Sequence, residues 1–261
     1  MDPEQLPNTR LFVARRQGMS VWEIRDPRDI SIADDLIPQL LARLEADGVV
    51  LVRPVFLDVD TPTLELYLTS FLVICGRWLG LSVGFHRLGR RPDAHLDLPV
   101  HTEGIYLGTG IIPAFSLGCV LPAESGGATV VYDARRAARL IRERHPSLEA
   151  VRIMYSSGSY SDSCEHGLIE EDAVHGDVLR FRVGVAASNY DLHGVDYTPG
   201  EIEKCVVDIL GESVVCEHSW ERGDMMIVNN RITLHGRKPY AGDRAMIRVR
   251  YDDRINCKLR L

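Results

Sequence analysis

The hydrophobic pattern changes character partway along the chain. Over 34–47, Leu36, Ile37, Leu40, Leu41 and Leu44 recur at helical spacing, with Asp34 and Asp35 in the first turn and Gly48 just beyond, which predicts an amphipathic helix. The apolar run 49–52 predicts a short buried strand. Thr61 as N-cap and Pro62 as first helical residue open a second helix, whose apolar face runs from Leu64 through Leu68, Phe71, Leu72 and Cys75 to Leu79 before Gly80. From Phe115 onward, short apolar runs alternate with Gly, Pro and Ser and predict strands over 115–121, 128–132, 150–155, 178–184, 213–218, 225–229 and 246–251. Two helices interrupt them. One covers 134–145 behind Asp133; the other covers 199–210, where Thr198 and Glu201 have the spacing of a capping box. Residues 1–33 carry no decisive pattern. The polar stretch 156–176, rich in Ser, Gly and Glu, reads as a long irregular segment, either a surface loop or a lid over a site. Many short strands spaced by turns imply a mainly β domain with flanking helices: a sandwich, a barrel or a jelly roll.

The bulk properties narrow the partners. The 261 residues suit one large domain with ample core. A net charge of -7 argues against nucleic acid, which needs a basic surface. The six cysteines are scattered without a C-x-x-C pair, as expected of reduced thiols rather than a disulfide framework or zinc site. The N-terminus is polar, and the most apolar segment, 70–85, is broken by Arg77 and is too short for a bilayer. The expectation is a soluble cytoplasmic protein whose partner is a small molecule, not nucleic acid or membrane.

The chemistry concentrates at His101-Thr102-Glu103. On an extended strand, residues i and i+2 face the same way, so His101 and Glu103 would project together. His235, from a distant strand, would complete two histidines and a carboxylate, a set that binds Fe(II) on one face and leaves positions open. The pattern His-x-Asp/Glu is weak by itself. With nine His and 37 acids in 261 residues, about one chance match is expected, and three occur: His95/Asp97, His101/Glu103 and His175/Asp177. The company of 101/103 distinguishes it. Gly126-Gly127-Ala128-Thr129 is a glycine turn entering a strand. Trp220-Glu221-Arg222-Gly223-Asp224 precedes an apolar run, then Asn229-Asn230-Arg231 and Leu234-His235-Gly236-Arg237. Arg244 and Arg248 follow, four apart. On a strand, Arg244, Arg248 and Arg250 share a face. That row is either a solvent face or, in a barrel mouth, a set of guanidinium forks aimed at carboxylates. His95/Asp97 is the fallback metal pair, and the remaining histidines carry no assigned role.

Taken in order, H-T-E, G-G-x-T, W-x-x-G-D, N-R-x-x-x-H-G-R and the arginine pair resemble the taurine dioxygenase and clavaminate synthase superfamily of Fe(II)/2-oxoglutarate oxygenases, over roughly residues 36–251. The resemblance implies a double-stranded β-helix, or jelly roll. It implies Fe(II) held by His101, Glu103 and His235, with 2-oxoglutarate and O2 as cosubstrates. It also implies Thr129 and Arg244 on the distal carboxylate of 2-oxoglutarate, and Arg248 on an acidic group of the substrate. The interval from His235 to Arg244 is a few residues shorter than is usual in the family, which leaves open an exchange of roles in which Arg248 holds the cosubstrate.

Halogenating relatives lack the carboxylate ligand, so Glu103 points to hydroxylation, with desaturation or epoxidation on the same chemistry. Glutamate in place of aspartate is closer to the clavaminate synthase branch, several members of which oxidise amino acids in natural-product pathways. The competing readings are a sulfonate- or acid-catabolic oxygenase, a non-catalytic jelly roll binding a small anion, and a zinc hydrolase. The last is weakened by the absence of an H-E-x-x-H helix.

Overall fold

In the computed structural model, which describes residues 11–16, 19–24, 33–54, 59–79, 81–88, 96–107, 112–156 and 163–252, the chain runs β1 (Leu11–Arg16), β2 (Met19–Ile24), α1 (Ala33–Asp47), β3 (Val49–Pro54), α2 (Thr61–Trp78), β4 (Ser82–Leu88), β5 (Leu98–His101), β6 (Ala114–Leu121), β7 (Ser125–Gly126), β8 (Thr129–Asp133), α3 (Ala134–Arg144), β9 (Arg152–Ser156), β10 (Ser163–Gly167), β11 (Ile169–Asp172), β12 (Gly176–Leu179), β13 (Tyr190–Asp191), α4 (Pro199–Glu212), β14 (Val214–His218), β15 (Met225–Asn229), β16 (Thr233–Arg237), β17 (Tyr240–Ala241) and β18 (Ala245–Asp252). The larger sheet has the order β1-β2-β3-β15-β6-β18-β4 and the smaller β14-β8-β16-β5. All pairings are antiparallel except β2 with β3. This is the jelly-roll architecture, with helices on the outside.

Period-2 alternation sorts the side chains into layers. On β15, Met225 and Ile227 join the cluster under α1 and α2, while Met226 and Val228 point between the sheets with Phe115, Leu117, Val131 and Trp220. On β18, Ile247, Val249 and Tyr251 take the helix side, where the Tyr251 hydroxyl reaches Ser116 Oγ at 2.8 Å and donates to the Leu72 carbonyl at 2.9 Å. The opposite face, Met246, Arg248 and Arg250, therefore looks into the space between the sheets. The third layer packs α3 and α4 through Ala134, Ala137, Ile141, Ile202, Val206 and Ile209 against Ile232 and Leu234.

The N-cap of α2 is Asp60, whose carboxylate accepts from Thr63 N at 2.7 Å; Thr61 is already helical. Asp133 caps α3 and the Thr198/Glu201 capping box opens α4, as their spacing predicts. The predicted strand 178–184 is shorter in the structure, ending at Leu179, and Arg182 beyond it makes only a bridge to His101. Strands occupy 163–167 and 169–172 within the segment predicted to be irregular; 157–162 lie outside the described residues. Among the described residues no helix is long and apolar enough to cross a membrane, and Cys75, Cys119, Cys164, Cys205 and Cys216 form no disulfide.

The W-E-R-G-D turn between β14 and β15 is an electrostatic lock. Asp224, 1% exposed, accepts from Arg53 Nε (2.8 Å) and Nη2 (3.1 Å) and from Glu221 N (2.9 Å), and lies 2.9 Å from His218 Nε2. Burial by itself would push this carboxyl up; the contacts with His218 and Arg53 outweigh it and hold it below the usual aspartate range. A carboxylate with a depressed pKa contributes stability above its unfolded value, and that stability is lost as pH falls through the folded value. Asp224→Asn should cost about 2 kcal/mol in urea unfolding at pH 7, since it removes the buried negative charge that accepts from Arg53. The variant should also show a flatter loss of stability than the parent below pH about 4. A cost under about 1 kcal/mol would place the lock elsewhere.

Candidate active site

The register of the smaller sheet pairs His101, the last residue of β5, directly with His235 on β16. Their ring centroids lie 4.3 Å apart, as direct cross-strand opposition allows. His101 Nδ1 donates to the Pro99 carbonyl at 2.9 Å, which leaves the Nε2 lone pair available to a cation. His235 is 5% exposed. Burial, the adjacent His101, and Arg248 and Arg250 hold it well below the ordinary imidazole range, and Glu103 only partly offsets them. Its ring is therefore neutral and able to offer a lone pair.

Glu103 reaches these rings by a different route from the strand geometry expected. β5 ends at His101, Thr102 N donates to the Phe181 carbonyl at 2.9 Å, and Gly104 turns the chain with φ +65°. At Gly104 a Cβ would also lie 2.5 Å from Ile112 Cδ1, so both conformation and space call for glycine. Glu103 thus sits on a turn rather than on a pleat, and Asn230 fixes the turn. The Asn230 Oδ1 accepts from Glu103 N at 2.9 Å, and its Nδ2 donates to the carbonyls of Glu103 at 2.9 Å and Ile112 at 2.8 Å. The buried Arg180 donates in turn to the Asn230 carbonyl at 3.1 Å. Further along, His166 Nε2 lies 2.8 Å from the Ile105 carbonyl and its Nδ1 lies 2.9 Å from Glu170 Oε1. Both ring nitrogens face acceptors.

The Glu103 side chain is 2% exposed and divided between two tasks. Its Oε2 lies 3.8 Å from His101 Nε2 and 3.7 Å from His235 Nε2, too long for hydrogen bonds. Its Oε1 accepts from Arg250 Nη2, and Arg248 Nη1 stands 3.5 Å from both oxygens. Burial would push this carboxyl up, but His101, Arg248 and Arg250 reverse the effect and hold it well below the usual carboxylate range. Ligand atoms of His101, Glu103 and His235 all lie within 4.8 Å of one another. The neutral imidazole of His235, the ring of His101 and an ionised carboxylate, with no hydrogen bond linking them to one another, are a donor set suited to Fe(II).

Two cavities flank this set. The smaller, about 60 Å³, is lined by Thr129, Arg237, Arg244, Met246 and Arg248 together with His235. Trp220 Nε1 donates to Thr129 Oγ1 at 3.0 Å, so the W-E-R-G-D turn orients this wall. Burial and the neighbouring Arg237 pull Arg244 down to about 10, the environment of a guanidinium in want of an anion. The larger cavity, about 170 Å³, lies on the His101 side and is lined by Tyr106, Arg182, Arg248 and Arg250 with His101 and Glu103. Arg248 and Arg250 share the inward face of β18, as their spacing predicts; Arg244 lies just before the strand, beyond a register shift at Ala245/Met246, and lines the smaller cavity. Asn230, Tyr106, Arg182 and His166 had no place in the sequence-derived site, and Arg250 entered it only as a member of the arginine row without a role; for Asn230 the only signal was its position inside the N-N-R run.

The other sequence candidates disperse. His95 lies outside the described residues. His175 Nε2 stands 3.2 Å from Glu45 Oε1, whereas Asp177 pairs with Arg142.

No curated protein matches the sequence significantly. The fold resembles the PvcB protein from Pseudomonas aeruginosa at TM-score 0.68, 19% identity, and 96% and 95% coverage of the two chains. A second PvcB structure, described as an Fe, alpha-ketoglutarate dependent oxygenase from an isonitrile synthetic pathway, gives TM-score 0.67 at 18% identity, with 96% and 95% coverage. AAD-2 in complex with Mn(II) and N-oxalylglycine gives 0.68 at 14% identity, with 94% and 98% coverage. A taurine dioxygenase from Burkholderia xenovorans gives 0.63 at 15% identity, with 90% and 87% coverage. The model of the taurine catabolism dioxygenase TauD, TfdA family matches residues 15–250, and with the His101–Glu103–His235 set this makes the chain a member of that family of Fe(II)/2-oxoglutarate-dependent dioxygenases.

Proposed function

We propose that this oxygenase hydroxylates an unactivated C–H bond of a small carboxylate-bearing substrate, an amino acid or a derivative of one, in a biosynthetic pathway. The observation that carries the reading is the division of the site into two arginine-bearing cavities on either side of one metal-ligand set. His101, Glu103 and His235 are the iron ligands. When bound, iron with 2-oxoglutarate supplies the oxidising power: O2-dependent decarboxylation to succinate and CO2, coupled to oxidation of the substrate.

The chain supplies position. Arg244 and Thr129 take the distal carboxylate of 2-oxoglutarate in the smaller cavity, where a charge-assisted fork sets which end of the dicarboxylate faces the metal. Trp220 fixes the Thr129 hydroxyl by donating to it, leaving that hydroxyl's own proton for the cosubstrate. Arg248, at the boundary, meets an acidic group of the substrate. Asn230 holds the main chain of Glu103, so the carboxylate arrives at the two imidazoles without rearrangement. The PvcB structure, from an isonitrile synthetic pathway, supports a natural-product role. The deep burial of Glu103 and the open cavity beside it favour catalysis over a binding-only jelly roll.

Anaerobic addition of Fe(II) and 2-oxoglutarate should produce a weak visible charge-transfer band. Glu103→Ala should lose both that band and substrate-dependent succinate formation; a fully active variant would remove the metal assignment. Arg244→Gln should weaken 2-oxoglutarate binding about tenfold to a hundredfold, the loss expected for one buried charge-assisted contact. If Arg248→Gln does so instead, the two roles are exchanged. Asn230→Ala should lower Mn(II) affinity about tenfold or more, as loss of an outer-shell contact does; an unchanged titration would show that the Glu103 turn holds itself.

A further inference from the structure

The larger cavity carries more positive charge than one substrate carboxylate can answer. Among the described residues that line it, three carry guanidiniums, Arg182, Arg248 and Arg250, and one carries a carboxylate, Glu103. That carboxylate is already committed: Oε1 accepts from Arg250, and Oε2 faces the two histidines. Arg250 is not exhausted by this contact, because its Nε is buried without a hydrogen-bond partner. A buried guanidinium donor left over in a site is a position for an incoming acceptor.

Arg182 occupies the opposite end. Its backbone is held against His101 by an antiparallel bridge, and Val183 N donates to the Val100 carbonyl at 2.9 Å. The residue is therefore fixed beside the metal ligands, while its side chain is exposed at the cavity mouth. Among the described residues no carboxylate lies within ion-pair distance of it. A cavity of about 170 Å³ is the space of roughly five or six waters, so whatever enters it whole is small.

Resting on the oxygenase reading above, we infer that the substrate is a small acid with two anionic groups, one received at the cavity floor by Arg248 and Arg250 and the other at the mouth by Arg182. Arg182 is then the residue that distinguishes a dianion from a monoanion. Tyr106 lines the wall between the two ends. A neutral amide in place of either carboxylate leaves one guanidinium without its counter-charge, which costs more than the lost contact because the arginine cannot discharge.

The test uses the full chain loaded anaerobically with Fe(II) and 2-oxoglutarate, and follows the charge-transfer band on addition of small amino acids and N-acyl amino acids. Each compound is supplied as its dicarboxylate and as the isosteric monoamide, for example glutamate with glutamine and N-acetylaspartate with N-acetylasparagine. Dicarboxylates should perturb the band at concentrations about tenfold lower than their amides. Arg182→Gln, a substitution at an exposed side chain, should bring that ratio close to one while the band itself forms as before. Equal binding of acids and amides, an unchanged ratio in Arg182→Gln, or failure of every dicarboxylate to perturb the band would overturn the inference. Failure of the band to form in the parent protein would instead overturn the oxygenase reading.

Discussion

A single carboxylate buried between the two sheets sets the terms for the rest of the site. Removing an ionised group from water costs several kcal/mol even after the protein relaxes, and an unpaired one is not tolerated. Glu103 is nevertheless ionised and almost fully enclosed. What makes this possible is spread over most of the fold. Arg248 and Arg250 come from the inward face of β18, His101 from the end of β5, and His235 from β16. None of these side chains is near Glu103 in sequence except His101, so the carboxylate can be stable only after both sheets have formed. The folded protein thus holds a negative charge that is already compensated and already aimed, and a cation entering between the histidines meets donors that need little reorganisation.

The main chain receives the same care as the side chain. Asn230 meets both the N–H and the carbonyl of Glu103, and its own carbonyl is held by Arg180. His166 ties down the Ile105 carbonyl just beyond, and Glu170 lies beside both His166 and Arg180. The turn bearing the ligand is therefore bounded by two buried polar chains that meet at one glutamate. These contacts give rigidity to a turn that has no sheet ladder of its own.

Much of this was legible in the sequence, for identifiable reasons. β15 and β18 are strongly periodic, and the capped helices α3 and α4 announce themselves through Asp133 and Thr198. His101, Glu103 and His235, which the structure brings together, were singled out because they sit in a run of weak motifs in a particular order, not because any one spacing was decisive. β10 and β11 escaped notice because they are short, largely polar and mostly exposed or half-buried, and a hydropathy pattern does not separate such strands from a loop. The strand argument for His101 and Glu103 named the right partners through the wrong geometry, since the turn after His101 depends on Asn230, more than a hundred residues away. Arg182 and Tyr106 had no sequence signal at all: their relevance comes from where the neighbouring backbone places them.

Arg248 lines both cavities. A charge placed in either chamber therefore acts on a guanidinium that the other chamber also uses, with no moving part needed to carry the effect. By thermodynamic linkage any such influence must be mutual: whatever the cosubstrate does to the affinity of the neighbouring chamber, an occupant of that chamber does to the cosubstrate, by the same factor. One side chain standing at the boundary is enough to make the filling of either chamber depend on what the other holds.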